Sequence, residues 1–118
     1  MIERDAVRKG RRRSRVTALI QEEAAQFITE DIDVPPGAVA TVTHVAITPD
    51  GVRADIFVSL FPPQHIGVFR NRMQQMEGRF NAKMRQALRM KKMPRMQFVF
   101  DDAALKQEHI ERLLRSVD

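Results

Sequence analysis

Apolar residues recur at helical spacing early in the chain and predict its first long helix. Those that fall on one helical face are Val16, Leu19, Ile20, Ala24, Phe27 and Ile28. Ser14 precedes this pattern and is a residue type that caps helix N-termini, since its side-chain oxygen accepts hydrogen bonds from free backbone N–H groups. Pro35 and Pro36 close the pattern because proline cannot occupy a helix interior. We therefore expect an amphipathic helix that starts at Ser14.

Alternation with a period of two then predicts a β-hairpin. In the first strand the positions expected to share a face are Val39, Thr41, Thr43, Val45 and Ile47. In the second strand they are Ala54, Ile56, Val58 and Leu60. Thr48-Pro49-Asp50-Gly51 stands between the strands and has turn chemistry, because proline presets φ and glycine tolerates a positive φ.

Residues 68–100 predict a helix, a break near Gly78, a second helix and a strand. Beyond Gly78 the apolar positions at helical spacing are Phe80, Met84, Ala87 and Leu88. On another face of the same helix, Arg85, Arg89 and Lys92 repeat. Pro94 is expected to end this helix, after which a strand is indicated by the alternation of Met96, Phe98 and Phe100. A short closing helix is predicted from Ile110, Leu113, Leu114 and Val117.

The predicted order α-β-β-α-α-β, with a terminal helix, defines an α+β fold. Its helices must pack on one face of a three-stranded sheet, because each element has a single apolar face to bury. The chain has 118 residues and is 43% hydrophobic, which suits one modest core. We expect residues 1–13, which lack apolar periodicity, to be a disordered basic arm, and residues 14–118 to form a single domain.

Charge is strongly segregated along the chain. Residues 69–100 hold nine Lys or Arg and one acid, and residues 1–16 hold seven bases and two acids. Residues 17–68 are acidic, with one base against seven acids. Two basic blocks that are distant in sequence can form one anion-binding surface in the fold, and nucleic acid is the anion that such a surface usually meets.

Other chemistry finds little support in the sequence. Without Cys the chain can form no disulfide, thiolate zinc site or cysteine nucleophile. His44, His65 and His109 lack metal-ligand spacing, phosphate-loop and nucleophile-elbow motifs are missing, and no Trp or Tyr offers a base-stacking platform. We expect no enzyme, no metal and no cofactor. An apolar leader or membrane-spanning run is also missing from the sequence, so a cytoplasmic protein without a membrane partner is expected.

An ordered set of motifs resembles one family, bacterial ribosome-binding factor A. The segments are Arg15-Val16, Ile20-Gln21-Glu22-Glu23, Val42-Thr43-His44-Val45-Ala46-Ile47-Thr48-Pro49-Asp50, Ala54-Asp55-Ile56-Phe57-Val58-Ser59, Met93-Pro94 and Phe98-Val99-Phe100-Asp101. The resemblance implies a type II KH-like fold, in which a kinked helix replaces the usual Gly-x-x-Gly loop. The matching kink positions are Met76, Glu77 and Gly78, of which Gly78 keeps the family residue.

The resemblance further implies a non-catalytic ribosome-assembly factor that binds the small ribosomal subunit and its rRNA during late maturation and rRNA processing. Release by a GTPase is compatible with it, and a monomer is the default state. The alternative is a generic basic KH-like module that binds nucleic acid or protein without specificity for the ribosome.

Candidate RNA-binding residues are the cations of the two basic blocks. Each Lys or Arg that neutralises a phosphate releases counterions, and Arg can also fork onto a phosphate or stack on a base. The candidates are Arg11, Arg12, Arg13, Arg15, Arg70, Arg72, Arg79, Lys83, Arg85, Arg89, Lys91, Lys92 and Arg95.

Overall fold

Helix α1 (Ile2–Asp31) begins well before its amphipathic pattern does. The chain is represented by a computed structural model that describes residues 2–101 and 114, with side chains at 14–101 and 114. The prediction of a disordered arm is wrong for residues 2–13, and Ser14 lies inside the helix instead of capping it. Once a helix is nucleated, each added residue contributes a hydrogen bond, and the Arg, Lys, Ala and Glu of this segment are good helix formers.

The predicted core face of α1 is confirmed at Ile20, Ala24, Phe27 and Ile28, which are all buried, while Val16 and Leu19 are half-buried. Strands β1 (Val39–Ile47) and β2 (Arg53–Phe61) form the predicted antiparallel hairpin. At the turn, the N–H of Gly51 donates to the carbonyl oxygen of Thr48 at 2.8 Å. Gly51 has a φ of 74°, as the turn chemistry requires.

The alternation predicted for β1 is interrupted by a β-bulge. Val42 pairs with Val58 but His44 pairs with Phe57, so Thr43 is an extra residue without its own partner on β2. One inserted residue moves every later side chain to the other face of the sheet. As a result Val42 and Val45 are the buried residues of β1, while Val39, Thr41 and Thr43 are exposed. β2 has no bulge, and its predicted inward set, from Ala54 to Leu60, is buried throughout.

Residues that were predicted to form two helices form one. A short 3-10 helix (Pro63–His65) leads into α2 (Ile66–Leu88), which continues through Met76, Glu77 and Gly78. The observed order is therefore α-β-β-α-β, and a bend of the helix axis at Gly78 stays a prediction. Gly78 does not have a positive φ, so its backbone is compatible with an uninterrupted helix.

Helix α2 ends at Leu88, earlier than Pro94 alone would require. Arg89 adopts a left-handed conformation with a φ of 49°, and its N–H donates to the carbonyl oxygen of Arg85 at 3.3 Å. The six residues 89–94 then reverse the chain, because β3 (Arg95–Phe100) must lie parallel to β2. The sheet order is β1-β2-β3.

Both helices pack on the same face of this sheet, which confirms the predicted α+β architecture and its KH-like arrangement. Three phenylalanine rings join the layers: the ring of Phe80 lies 5.0 Å from that of Phe27 on α1 and 5.3 Å from that of Phe98 on β3. Met84 is also buried, but Ala87, which was predicted to face the core, is exposed. The predicted closing helix lies outside the described residues except for Leu114, which is exposed.

Candidate nucleic-acid interface

A groove follows the junction between α2 and β3. Its larger section encloses about 450 Å³ and is lined by Gln74, Glu77, Gly78, Asn81, Arg85, Met93 and Arg95. A second section of about 240 Å³ is lined by Arg70, Met73, Gln74, Gln97, Phe98, Val99 and Phe100. Gln74 lines both sections, so we treat them as one feature, the α2–β3 groove.

Hydrogen bonds from α2 side chains to the β3 backbone fix the width of this groove. Asn81 Nδ2 donates to the carbonyl oxygen of Met96 at 3.0 Å, and the N–H of Met96 donates to Asn81 Oδ1 at 2.8 Å. One turn earlier, the Glu77 carboxylate accepts a longer hydrogen bond of 3.4 Å from the N–H of Phe98. A side-chain amide that satisfies both backbone groups of one residue holds strand and helix at a fixed separation.

Arginine side chains stand at both ends of the groove. Arg85 from α2 and Arg95 from β3 line the larger section, and Arg70 lines the smaller one. All three are exposed, and none makes an ion pair with a residue in the described part of the chain. The Arg70 guanidinium lies 5.2 Å from the centre of the Phe100 ring, a cation–π contact that orients it. These are the groups that can fork onto phosphate oxygens.

Glu77 is the one acidic residue among those that line the groove. A carboxylate at mid-groove repels a phosphate but accepts hydrogen bonds from the amino groups on base edges. The groove therefore places positive charge at its ends and a hydrogen-bond acceptor between them, an arrangement suited to a strand with phosphates outward and a base inward.

Several other predicted cations have different surroundings. Arg72 hydrogen-bonds the carbonyl oxygen of Asp33, and its Nη1 lies 3.7 Å from the Asp33 carboxylate, which ties α2 to the segment after α1. Lys83 places its Nζ 5.7 Å from the centre of the Phe27 ring, so its stem covers the core. Arg79 is exposed on α2 but does not line the groove.

The predicted basic stripe of Arg85, Arg89 and Lys92 is wrong as a helical face. Only Arg85 belongs to α2, because the helix ends at Leu88; Arg89, Lys91 and Lys92 are exposed in the loop before β3. Arg15 is exposed on α1. Arg11, Arg12 and Arg13 lie within α1, but their side chains are outside the described residues.

Two neutral residues of the groove, Gln74 and Asn81, were missed by reasoning that followed charge alone. A signal for them exists, since a polar stripe along a helix is formed by residues at spacings of three or four: Gln74, Gly78, Asn81 and Arg85.

Among the described residues, no group of three or more His, Asp or Glu is placed to hold a metal ion. Neither described helix has a stretch long and apolar enough to cross a membrane.

A three-stranded sheet with two helices on one face and a groove at the helix–strand junction defines a KH-like α+β domain. The ribosome-binding factor A family model matches residues 12–114, and the chain belongs to this family.

Individual relatives are distant but span most of the chain. Ribosome-binding factor A of Thermodesulfovibrio yellowstonii is 26% identical over 107 residues, which cover 91% of each protein. That of Nitrosococcus oceani is 27% identical over 109 residues, covering 87% of this chain and 82% of the relative.

Solved structures of the family share the fold. The crystal structure of ribosome-binding factor A from Thermus thermophilus superposes with a TM-score of 0.61 at 24% identity, covering 76% of this chain and 96% of that one. A homology model of the Thermus thermophilus factor, fitted into the cryo-EM map of its complex with the 30S subunit, gives 0.60 at 23% identity and covers 73% and 91%.

Proposed function

We propose that this chain binds the small ribosomal subunit by holding a single-stranded segment of rRNA in the α2–β3 groove, and that it does so during late maturation, alongside rRNA processing. The observation that carries the proposal is the convergence of Arg70 and Arg85 from α2 and Arg95 from β3 on one groove. The 30S complex of the Thermus thermophilus relative supports the choice of target.

Binding itself is the activity in this proposal. A protein that binds one conformation of an immature rRNA more tightly than another shifts the population toward the first, by an amount set by the difference in affinity. The arginines supply affinity through counterion release, and the polar groups inside the groove favour an unpaired strand, whose base edges are free to form hydrogen bonds with them. A cytoplasmic location, expected from the sequence, and a monomer, the default state, complete the proposal, together with release by a GTPase.

Co-sedimentation tests this proposal directly. Purified protein is mixed with precursor and mature small subunits, and with large subunits as a control, across a salt series of about 50 to 200 mM, where phosphate-driven binding changes most. We expect selective binding to small subunits that weakens with salt. Equal binding to both subunits, lost together with salt, would support the generic basic module instead.

Charge reversal identifies the surface. Arg85→Glu combined with Arg95→Glu should weaken binding strongly, and the binding that remains at low salt should show a log–log salt slope lower by about 1.5, since each phosphate contact contributes about 0.7 to 0.9. The matched control is Arg79→Glu combined with Lys92→Glu, which makes the same change in net charge at exposed positions outside the groove. Equal losses in both double variants would show that general charge, and not the groove, directs binding.

A further inference from the structure

The face of the sheet opposite α1 and α2, here called the outer face, presents a stacked pair of rings. Alternation along β2 sets the direction of its side chains: Ile56 and Val58 are buried against the helices, so Phe57 points to the outer face. The pairing register places His44 of β1 on one side of Phe57 and Val99 of β3 on the other. These three residues form the middle row of the outer face.

The His44 and Phe57 rings are stacked, with centroids 4.1 Å apart and planes inclined by 10°. The His44 side chain is still 54% exposed, and Phe57 is half-buried. One side of the imidazole is thus covered by a parallel ring while much of the side chain remains open to solvent. An exposed ring of this kind can take a further planar ring, because aromatic rings and nucleobases stack regardless of base identity.

Polar contacts hold the imidazole in place. The Thr43 hydroxyl oxygen lies 3.2 Å from His44 Nδ1 and 3.0 Å from Asp101 Oδ2, and His44 Nδ1 lies 3.8 Å from the same carboxylate oxygen. Thr43 is the extra residue of the β-bulge, which brings it and His44 together opposite Phe57. A ring that is already fixed loses little conformational entropy when a ligand stacks on it.

Charge on the outer face is mixed: Asp101 lies beside His44 and Asp55 lies in the next row, while the row after that contains two arginines. At one end of the outer face, Arg53 is held by Asp55 at 3.0 and 3.3 Å, whereas Arg95, its cross-strand neighbour, is exposed and makes no ion pair within the described part of the chain. Arg95 and Val99 also line the α2–β3 groove, so the outer face and the groove meet across β3.

Rows of polar residues flank the rings on both sides. Thr41 pairs with Ser59 on one side, and Asp55 pairs with Gln97 on the other. Beyond the Thr41–Ser59 row, Val39 and Phe61 form a second, exposed apolar row at the end of the hairpin. Polar residues separate the two apolar rows, so the row that contains the rings is narrow and fits one planar base better than the broad hydrophobic core of a protein–protein interface.

From this geometry we infer that the His44–Phe57 stack is a second binding site, which takes an unpaired base of a single RNA strand whose phosphates run past Arg95 toward the α2–β3 groove. The inference rests on the proposed function, because it adds a base contact to the strand that the groove holds. It also assigns His44, which charge and motif analysis left without a role, to ligand binding.

The test compares oligouridylate with an abasic oligonucleotide of equal length, about twelve nucleotides, which lies within the usual site sizes for single-strand binders. His44→Ala removes the outer ring, His44→Phe keeps a ring without the imidazole, and His65→Ala is the matched control away from the sheet. We expect His44→Ala to weaken binding of oligouridylate about 5- to 150-fold, the value of one base–aromatic stack. His44→Phe should retain most of the affinity, and His65→Ala all of it. The abasic strand should bind wild-type protein and His44→Ala equally.

A fluorescent variant gives a second reading that does not depend on losing affinity. The chain contains no Trp and no Tyr, so His44→Trp introduces a single indole at the site. Stacking of a base should quench its emission with oligouridylate and leave it unchanged with the abasic strand.

Equal affinity of wild type and His44→Ala for oligouridylate, together with an unquenched indole, would overturn the inference. Loss of subunit binding in His44→Ala without loss of oligouridylate binding would also overturn it and indicate a protein contact instead. The double variant Arg85→Glu and Arg95→Glu separates the two proposals. If it abolishes oligouridylate binding while His44→Ala does not, only the base site is wrong; if neither has any effect, the groove proposal fails as well.

Discussion

Asn81 makes the two shorter of the three hydrogen bonds that join α2 side chains to the β3 backbone, and its contribution to stability can be measured. Replacing Asn81 by alanine removes the donor and acceptor that serve the carbonyl oxygen and the N–H of Met96, at 3.0 and 2.8 Å. It also removes the 2.9 Å hydrogen bond from Asn81 Nδ2 to the carbonyl oxygen of Glu77. Because Met96 is fully buried, its two backbone groups then have poor access to water.

The size of the effect follows from those two groups. A buried donor or acceptor left without a partner costs about 1 to 3 kcal/mol, and the adjoining groove lets water offset part of this for one of them. Alanine also has a higher helix propensity, which returns about 0.6 kcal/mol. We expect the free energy of unfolding to fall by about 2 to 3 kcal/mol. In a domain of this size the melting temperature should fall by about 10 to 20 °C.

The assay is urea and thermal unfolding followed by circular dichroism, with Asn71→Ala as the control. Asn71 lies on the same helix, is exposed, and makes no side-chain hydrogen bond that ties it to another element among the described residues. Its replacement should be neutral or slightly stabilising, because only helix propensity changes. If the two alanine variants unfold alike, the hydrogen bonds between α2 and β3 do not hold the edge, and the account of a fixed groove is wrong.

Three further substitutions probe the backbone and one turn. Gly78→Ala should stabilise the chain by about 0.5 to 1 kcal/mol. A Cβ at this position would meet nothing within 4 Å, and alanine loses less backbone conformational entropy on folding than glycine does. Arg89→Gly should stabilise it by about 1 kcal/mol, because the left-handed φ of 49° is unfavourable for a residue with a Cβ. Asp50 accepts hydrogen bonds from the Thr48 hydroxyl at 2.6 Å and from the N–H of Val52 at 3.1 Å, and these lower its pKa below the ordinary value of 3.8. A carboxyl whose folded pKa is depressed stabilises the fold above the unfolded pKa and loses that contribution as pH falls through the folded value. Asp50→Asn should therefore be less stable than wild type at neutral pH, and the difference should narrow below about pH 4.

Each of these expectations has a result that contradicts it in thermal or urea unfolding. A destabilised Gly78→Ala would mean that the helix needs a bend at this position, as the family resemblance implies. A lower melting temperature for Arg89→Gly would mean that the arginine side chain contributes more than its backbone strain costs. For Asp50→Asn, the same deficit at acidic and neutral pH would show that its hydrogen bonds do not depend on the ionised carboxylate.

Regular periodicity explains why some elements could be predicted and others could not. The inward face of β2 could be predicted because each of its residues pairs in turn, so the period of two survives from Ala54 to Leu60. The faces of β1 could not, since nothing in its β-branched sequence marks Thr43 as the residue to be left unpaired. In α1, the basic residues before Ser14 lack an apolar face, and their helicity comes from continuation of the helix that follows.

Of the groove, the sequence predicted only the positively charged residues. The thirteen candidate cations included Arg70, Arg85 and Arg95, but charge alone could not separate these three from Arg72. Arg72 contacts Asp33, and this contact joins segments far apart in sequence, so no local pattern indicates it. The same holds for Asn81, whose partner Met96 is set by the return of β3. Long-range pairings of this kind follow from the packed fold and not from local pattern.

The bulge at Thr43 also bears on how this protein behaves at high concentration. Within residues 2–101, β1 pairs only with β2, so its other side is a sheet edge whose N–H and C=O groups face no described strand. A flat edge would be a template for strand addition from another copy of the chain, the first step of edge-to-edge aggregation. One extra residue bends β1 and breaks the regular spacing of those groups. An incoming strand could therefore pair with β1 before the bulge or after it, but not along its whole length. The irregularity that brings Thr43 beside His44 therefore also protects the sheet from growing beyond three strands.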